Sequence, residues 1–329
     1  MGTLYLTEQG AVVTKTGERL LVRKDGKLLH DLPALHIDQI VVFGNAGFTT
    51  PAVGYILENG IDVAYLSQHG SYRGRLQSTW TKDASLRYEQ YRCALDAAFC
   101  LRLAQAIVTG KIRNAVAFCR RQRRLTREGK QHLMAIEALL PKIPTAATLE
   151  QLMGYEGTAA ALYYRVLRSF LKTDLGFQRR QAHPPTDPVN ALLSLGYTLL
   201  YNHLYAAINI VGLDPYQGFF HQRKHGHAAL ASDLVEEWRA LIVDSIVLTV
   251  INRREIRQDD FQRTDHGISL TKPALTRFVT RYDARVSETI FVPTLQWKTS
   301  YRRAFELQVR QLARVLTAEQ ASYQPFHLQ

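Results

Sequence analysis

Only three cysteines, Cys93, Cys100 and Cys119, occur in the 329 residues, an odd number with no CxxC spacing. That scarcity points away from a disulfide framework and from a cysteine-held zinc site, and it leads to the expectation of a reducing, cytoplasmic setting. Also missing is any apolar run of about eighteen residues, so no membrane span is expected. The opening MGTLYLTEQG has no basic segment followed by an apolar stretch, and export is not expected either. Internal repeats and low-complexity tracts are absent. Residues 1–80 lack net charge, with seven Lys/Arg against seven Asp/Glu, which leaves 34 basic and 22 acidic residues for 81–329 and hence the whole formal +12. A basic excess of this size suits a phosphate-backbone partner; anionic membranes and ordinary solubilising charge are its competitors.

What is present is a 46% hydrophobic content, ample for one large core or two smaller ones. Through residue 80 the apolar segments are short: Leu4 to Leu6, Ala11 to Val13, Leu20 to Val22 and Ile37 to Phe43, with an Asp25-Gly26 hairpin signal between strands. TPAVGYILENG reads as one helix, opened by a Thr-Pro start and closed at Asn59-Gly60, before a further strand in IDVAYLS. From about Ala84 the apolar spacing becomes three and four residues over long stretches: SLRYEQYRCALDAAFCLRLAQAIV, NAVAFCRRQRRL, EGTAAALYYRVLRSFL and NALLSLGYTLLYNHLYAAINIV. The expected fold is α+β, with a small β-sandwich-like N-terminal domain carrying one helix (1–80) and a large all-α domain (81–329). Gln77 to Ser85 is the expected linker, and Gln178 to Pro188 a loop between helices.

Chemistry is concentrated between Gly218 and Arg239. Asp233 and Glu236 fall about 60° apart on a helix beside the apolar arc of Leu230, Leu234, Trp238 and Leu241, so both carboxylates can face one cleft. The same spacing also reads as a capping box at a helix start. His221 precedes them by twelve and fifteen residues. His225 and His227 raise a zinc alternative, but HxxxHxH in a basic loop lacks the HExxH pattern. Glu156, read as opening an amphipathic helix, adds a third carboxylate. One imidazole with two or three carboxylates is a hard, oxygen-rich donor set suited to Mg²⁺ or Mn²⁺. Arg120, Arg121, Arg123, Arg124, Arg127 and Lys130 read as a basic helix. Tyr163 and Tyr164 could stack on bases or lie in the core.

The order EG-x-AA-x-x-YY, LDPY-x-GF-x-H and L-x-x-DL-x-EE-x-R resembles the CRISPR-associated integrases that capture spacers, the larger subunit of the adaptation complex, along essentially the whole chain. The resemblance implies a metal held by Glu156, His221 and Glu236, with Asp233 as a neighbouring acidic residue and Lys224 as a basic one near the phosphate. The segment after His221 departs from the family, with Arg223-Lys224-His225-Gly226-His227-Ala228 in place of an Arg-Pro-Gly-Arg-Pro-Ser-like run. The implied activity is metal-dependent DNA cleavage and insertion of captured double-stranded fragments, whose 3′-hydroxyls attack phosphodiesters of the CRISPR repeat. A homodimer formed through the β domains is implied as well, with two dimers bridged by a small ferredoxin-like partner dimer. The rival readings are another metal-dependent nuclease or transposase, and a nucleic-acid-binding module without chemistry.

Overall fold

The computed structural model describes residues 2–78, 84–122, 125–181, 184–221, 225–264, 267–292 and 296–327. Two compact units divide the chain, Met1–Thr81 and Lys82–Gln329.

In the first unit the strands are β1 (Gly2–Leu6), β2 (Ala11–Thr16), β3 (Arg19–Lys24), β4 (Lys27–Pro33), β5 (Ile37–Phe43) and β6 (Ala46–Phe48). Then come helix α1 (Thr50–Glu58) and strands β7 (Asp62–Leu66) and β8 (Tyr72–Leu76). They form two four-stranded sheets, in the orders β1-β5-β7-β8 and β4-β3-β2-β6. The turn between β3 and β4 is Asp25-Gly26, with φ of 48° and 76°. Two positive values match the twist of a tight hairpin, and the Asp-Gly pair tolerates them. β5 and β7 are parallel, a pairing made possible by the α1 crossover between them. Ala11 and Val13 of β2, Leu20 and Val22 of β3, Ile40 and Val42 of β5 and Ile56 of α1 close one core. Val12 between the first two is 40% exposed, the alternation of a sheet with one buried face.

The second unit is mostly helical: α2 (Ser85–Ala94), α3 (Ala97–Arg120), α4 (Arg127–Glu137), α5 (Leu149–Ser169), α6 (Pro188–Val211), α7 (Ala229–Val235) and α8 (Ser245–Asn252). Two short hairpins depart from an all-helical reading, β9 (Phe261–Thr264) with β10 (Gly267–Leu270), and, after α9 (Lys272–Ser287), β11 (Thr289–Val292) with β12 (Trp297–Ser300). Helix α10 (Tyr301–Leu316) follows. Among the described residues no single helix is long and apolar enough to cross a membrane.

The stretch from Ser85 to Val108 is two helices rather than one. Asp96 turns the chain by accepting the N–H groups of Ala98 at 2.8 Å and Phe99 at 3.1 Å, and α2 and α3 meet at 95°. An aspartate that satisfies two orphan amides is a strong helix start. α6 is the central helix. Asp187 caps it through Asn190 N–H at 2.9 Å, Pro188 occupies its first turn, and Gly212 ends it at φ +96°. Trp238 is fully buried, edge-on to Phe305 of α10 at 4.8 Å and stacked on Phe326 at 4.4 Å, so the C-terminal segment closes the core behind the Glu236–Glu237 pair.

Candidate active site

Glu156 does not open its helix. α5 begins seven residues earlier, where Thr148 accepts Gln151 N–H at 3.2 Å and Gln151 Oε1 accepts Ala147 N–H at 2.8 Å. Glu156 therefore sits two turns in, where neither cap nor dipole accounts for it. Its partner is Lys111 of α3, whose ammonium ion-pairs with Glu156 Oε1 and also with Glu236 Oε2. Two carboxylates from separate helical segments thus share one cation.

Glu236 lies just past the last turn of α7, 7% exposed. Its Oε1 receives Arg239 Nη1 at 2.8 Å, while Oε2 touches Lys111 without a well-directed hydrogen bond. Burial disfavours the carboxylate, but Arg239 and Lys111 outweigh it and bring the pKa down to about 2. Lys111 responds in the opposite sense: burial works against its charge, and Glu236 and Glu156 raise its pKa above the ordinary lysine value. Both groups are charged at neutral pH.

His221 lies in the segment between α6 and α7, and that segment is fixed from two sides. Gln90, fully buried, donates to the carbonyls of Asp214 and Gln217 at 2.8 Å each and accepts Asp214 N–H at 2.8 Å. Asp233 holds the other end. Its Oδ2 accepts Phe219 N–H at 2.7 Å and Phe220 N–H at 3.1 Å, and its Oδ1 accepts His221 N–H and ring Nδ1, both at 2.8 Å. The approach is so close that a Cβ on Gly218 would stand 2.8 Å from Asp233 Oδ2 and from the Ala229 carbonyl carbon. Only glycine fits there.

Asp233 thus holds the histidine loop. It is not the cap of its own helix; it is inside α7, fully buried, and binds the histidine loop. Because a carboxylate only accepts, Nδ1 carries the hydrogen and the neutral ring presents a lone pair at Nε2. Burial lowers the His221 pKa, but the hydrogen bond to Asp233 and the charges of Asp233 and Glu236 outweigh it and leave the pKa above the ordinary value. Electrostatically, Glu236, His221 and Lys111 form one group.

Behind Glu236 runs a polar chain. Arg239 Nη2 donates to Tyr164 OH at 3.1 Å, and its guanidinium lies over the Tyr197 ring at 4.2 Å. Tyr164 and Tyr197 hydroxyls are 3.0 Å apart, and Tyr163 donates to the buried Asp244 at 2.6 Å. Tyr163 and Tyr164 are 6% and 8% exposed, core members of this network rather than stacking platforms for bases. Asp244 ends a π-helical turn, Ala240–Asp244. Glu156, Glu236, Lys111 and Arg239 line a cavity of about 500 Å³, together with Arg165 and Arg179.

Lys224 lies outside the described residues. His225 is exposed, and His227 pairs with Ser232 at 3.1 Å, its ring 6.4 Å from that of His221. Among the described residues no three His, Cys, Asp or Glu side chains converge at metal-binding distance. Glu156 and Glu236 are joined through Lys111, which contacts one oxygen of each. The basic run from Arg120 is not one helix: α3 stops at Arg120, which pairs with Glu137 at 2.7 Å, and α4 starts at Arg127.

Lys111 and Arg239 are the side chains that the sequence reading missed. A signal for Lys111 existed. Ala104, Val108, Lys111, Ala115 and Phe118 follow a 4-3-4-3 spacing, and the other four are buried, so the lysine interrupts an otherwise apolar stripe.

Comparison with known proteins agrees along the chain. Residues 4–284 match the family described as CRISPR associated protein Cas1. The chain is 37% identical over 328 residues to CRISPR-associated endonuclease Cas1 3 of Thermus thermophilus, covering 99% of this chain and 97% of that one. It is 36% identical to a Cas4 exonuclease/Cas1 endonuclease fusion of Geobacter sulfurreducens, of which it spans 60%. Among solved structures, a chain of a Cas6-RT-Cas1–Cas2 complex superposes with a TM-score of 0.87 at 29% identity, over 99% of this chain and 36% of that one. A Cas1 protein from Thermotoga maritima shares the fold, with a TM-score of 0.85 at 22% identity over 97% and 98% of the two chains. With the N-terminal sheets, the helical second unit and these matches in hand, the chain belongs to the CRISPR-associated Cas1 family.

Proposed function

We propose that the chain is a metal-dependent DNA endonuclease and integrase that inserts captured fragments into a CRISPR array. The observation that carries this reading is the pairing of Glu156 and Glu236, two carboxylates on separate elements that already share a cation beside His221. The donor set fits a hard divalent ion, since it offers two carboxylates, one with a buried oxygen lacking a directed hydrogen bond, and an imidazole whose tautomer leaves Nε2 available.

Glu156, His221 Nε2 and Glu236 would hold Mg²⁺ or Mn²⁺, which supplies Lewis-acid stabilisation of charge on the phosphoryl oxygens. The chain's own residues do the rest. Asp233 orients the imidazole. Arg239 sets the Glu236 carboxylate, and Arg165 and Arg179 line the cavity where DNA phosphates would enter. Lys224, three residues beyond His221, would offset charge on the phosphorus. In strand transfer the incoming 3′-oxygen forms a bond to phosphorus as the repeat's own O3′–P bond breaks; the attacking hydroxyl loses a proton and the departing oxygen gains one. With water as attacker the same exchange is hydrolysis.

Residues 1–80, neutral overall, would form the homodimer contact, and residues 81–329 the catalytic and DNA-binding part. A small ferredoxin-like partner dimer would bridge two such dimers; the Cas2 named in the structural relative's complex is the candidate. The test is joining of a short duplex with free 3′-hydroxyls to a repeat-containing plasmid, with the partner supplied. Blocking the 3′ ends should stop joining while sparing nicking. Joining that persists with blocked ends excludes the proposed nucleophile.

A further inference from the structure

Two carboxylates that face one cleft repel each other unless one takes up a proton or a cation lies between them. Here that cation belongs to the chain. The Lys111 ammonium contacts Glu156 and Glu236 together, from a side chain only 16% exposed on a stripe of α3 that is otherwise apolar. The oxygens it occupies are the ones a divalent ion would need.

The backbone beneath Lys111 is fixed. Gly110 packs so closely on the C-terminal segment that a Cβ there would stand 2.5 Å from Pro325 Cβ. One turn on, Asn114 donates to the carbonyls of Glu237 and Phe326 at 2.8 Å each. α3 therefore cannot slide to clear the carboxylates, whereas the lysine stem, with four rotatable methylenes, can swing its head into the adjoining cavity of about 500 Å³.

We propose that Lys111 is a resident counter-cation, a positioning residue that holds Glu156 and Glu236 together in the metal-free protein and is displaced from them when a divalent ion binds. The exchange replaces one positive charge by two between the same carboxylates, and it explains why the pair stays assembled without metal. Ion binding then competes with an internal ion pair, so the lysine sets the affinity of the site. The inference rests on Glu156 and Glu236 forming the cation site.

Two measurements on the full chain test it. In the unmodified protein, acetylation of Lys111 is followed by mass spectrometry with and without Mn²⁺; release from the carboxylates should raise its labelling several-fold. In Lys111→Met, Mn²⁺ affinity by calorimetry should rise about tenfold, the order expected when a buried ion pair no longer competes. The thermal shift on adding Mn²⁺ should exceed that of the parent. Labelling of Lys111 that is unchanged or reduced by bound Mn²⁺ overturns the proposal, as does a Lys111→Met protein that binds Mn²⁺ no more tightly than the parent. Absence of Mn²⁺ binding in the parent would overturn the metal site itself, which separates the two claims.

Discussion

The Nδ1–H of His221 is held at 2.8 Å by Asp233, a fully buried carboxylate that also receives the backbone N–H groups of Phe219, Phe220 and His221. One side chain thus fixes both the loop and the tautomer of its histidine. An asparagine would offer one acceptor oxygen and turn an amide NH₂ toward N–H donors. Asp233→Asn should lower Mn²⁺ affinity and DNA joining by about 10- to 100-fold, the range for loss of a group that orients a metal-binding histidine. Calorimetry and the joining assay read the two effects; parent-like affinity would leave Asp233 a purely structural residue.

Arg239 links Glu236 to Tyr164 and lies over Tyr197. Its removal leaves a buried carboxylate short of one of its two cations. Arg239→Met should cost roughly 3 kcal/mol or more of stability, the scale for breaking a buried pair from one side. Lysine at this position keeps the charge but not the fork, so Arg239→Lys should recover only part of that loss. Urea unfolding of the two variants and the parent measures both.

The C-terminal segment is part of the core behind the site. Phe326 is 3% exposed against Trp238, its N–H donates to Glu237 at 2.7 Å, and Tyr323 hydroxyl reaches the same carboxyl group. Burial raises the Glu237 pKa to about 8, so the contact brings the segment to a carboxyl group that favours its neutral form. Phe326→Ala should destabilise the second unit by about 3–5 kcal/mol, the range for a truncated core aromatic. Thermal melting checks this, and a loss under about 1 kcal/mol would show the segment to be peripheral.

His203 gives the chain an acid sensitivity. It is buried between Tyr282 and Phe305, and burial, with Arg302 nearby, lowers its pKa to about 3. Its folded pKa is depressed below the unfolded value of about 6.5, so the folded state binds fewer protons than the unfolded state between those two values. Stability from this group is therefore complete above about pH 6.5 and falls as the pH drops toward 3, by up to roughly 1.4 kcal/mol per unit. Urea unfolding at pH 7, 6 and 5 should show a smaller decline in His203→Asn than in the parent; identical slopes would contradict it.

Local signals were readable in the sequence wherever one short segment determines its own conformation. Asp25-Gly26 forms its hairpin because both residues tolerate positive φ, and the switch from short strands to long helices after residue 80 follows from apolar spacing. The misses have tertiary causes. Asp233 and Glu236 look like a capping box because their spacing is that of one, yet the partners of Asp233 lie twelve to fourteen residues upstream, brought there by a turn that needs Gly218. Strand β8, YRGRL, has no apolar alternation; it pairs as an edge beside β7. The start of α5 is legible in Thr148-x-x-Gln151, eight residues before Glu156. Lys111 could be found only by treating a charge on an apolar stripe as a question about its partner.

We propose that Glu156, His221 and Glu236 hold the cation with which this chain would cut and join DNA. Joining of a 3′-hydroxyl duplex to repeat DNA should be compared in Mn²⁺ for the parent and Glu156→Gln, with DNA binding measured in parallel. Joining and nicking should fall at least about 100-fold in the variant and in parent treated with EDTA, with salt-sensitive binding intact. Parent-level joining by Glu156→Gln, or joining that survives EDTA, would contradict it.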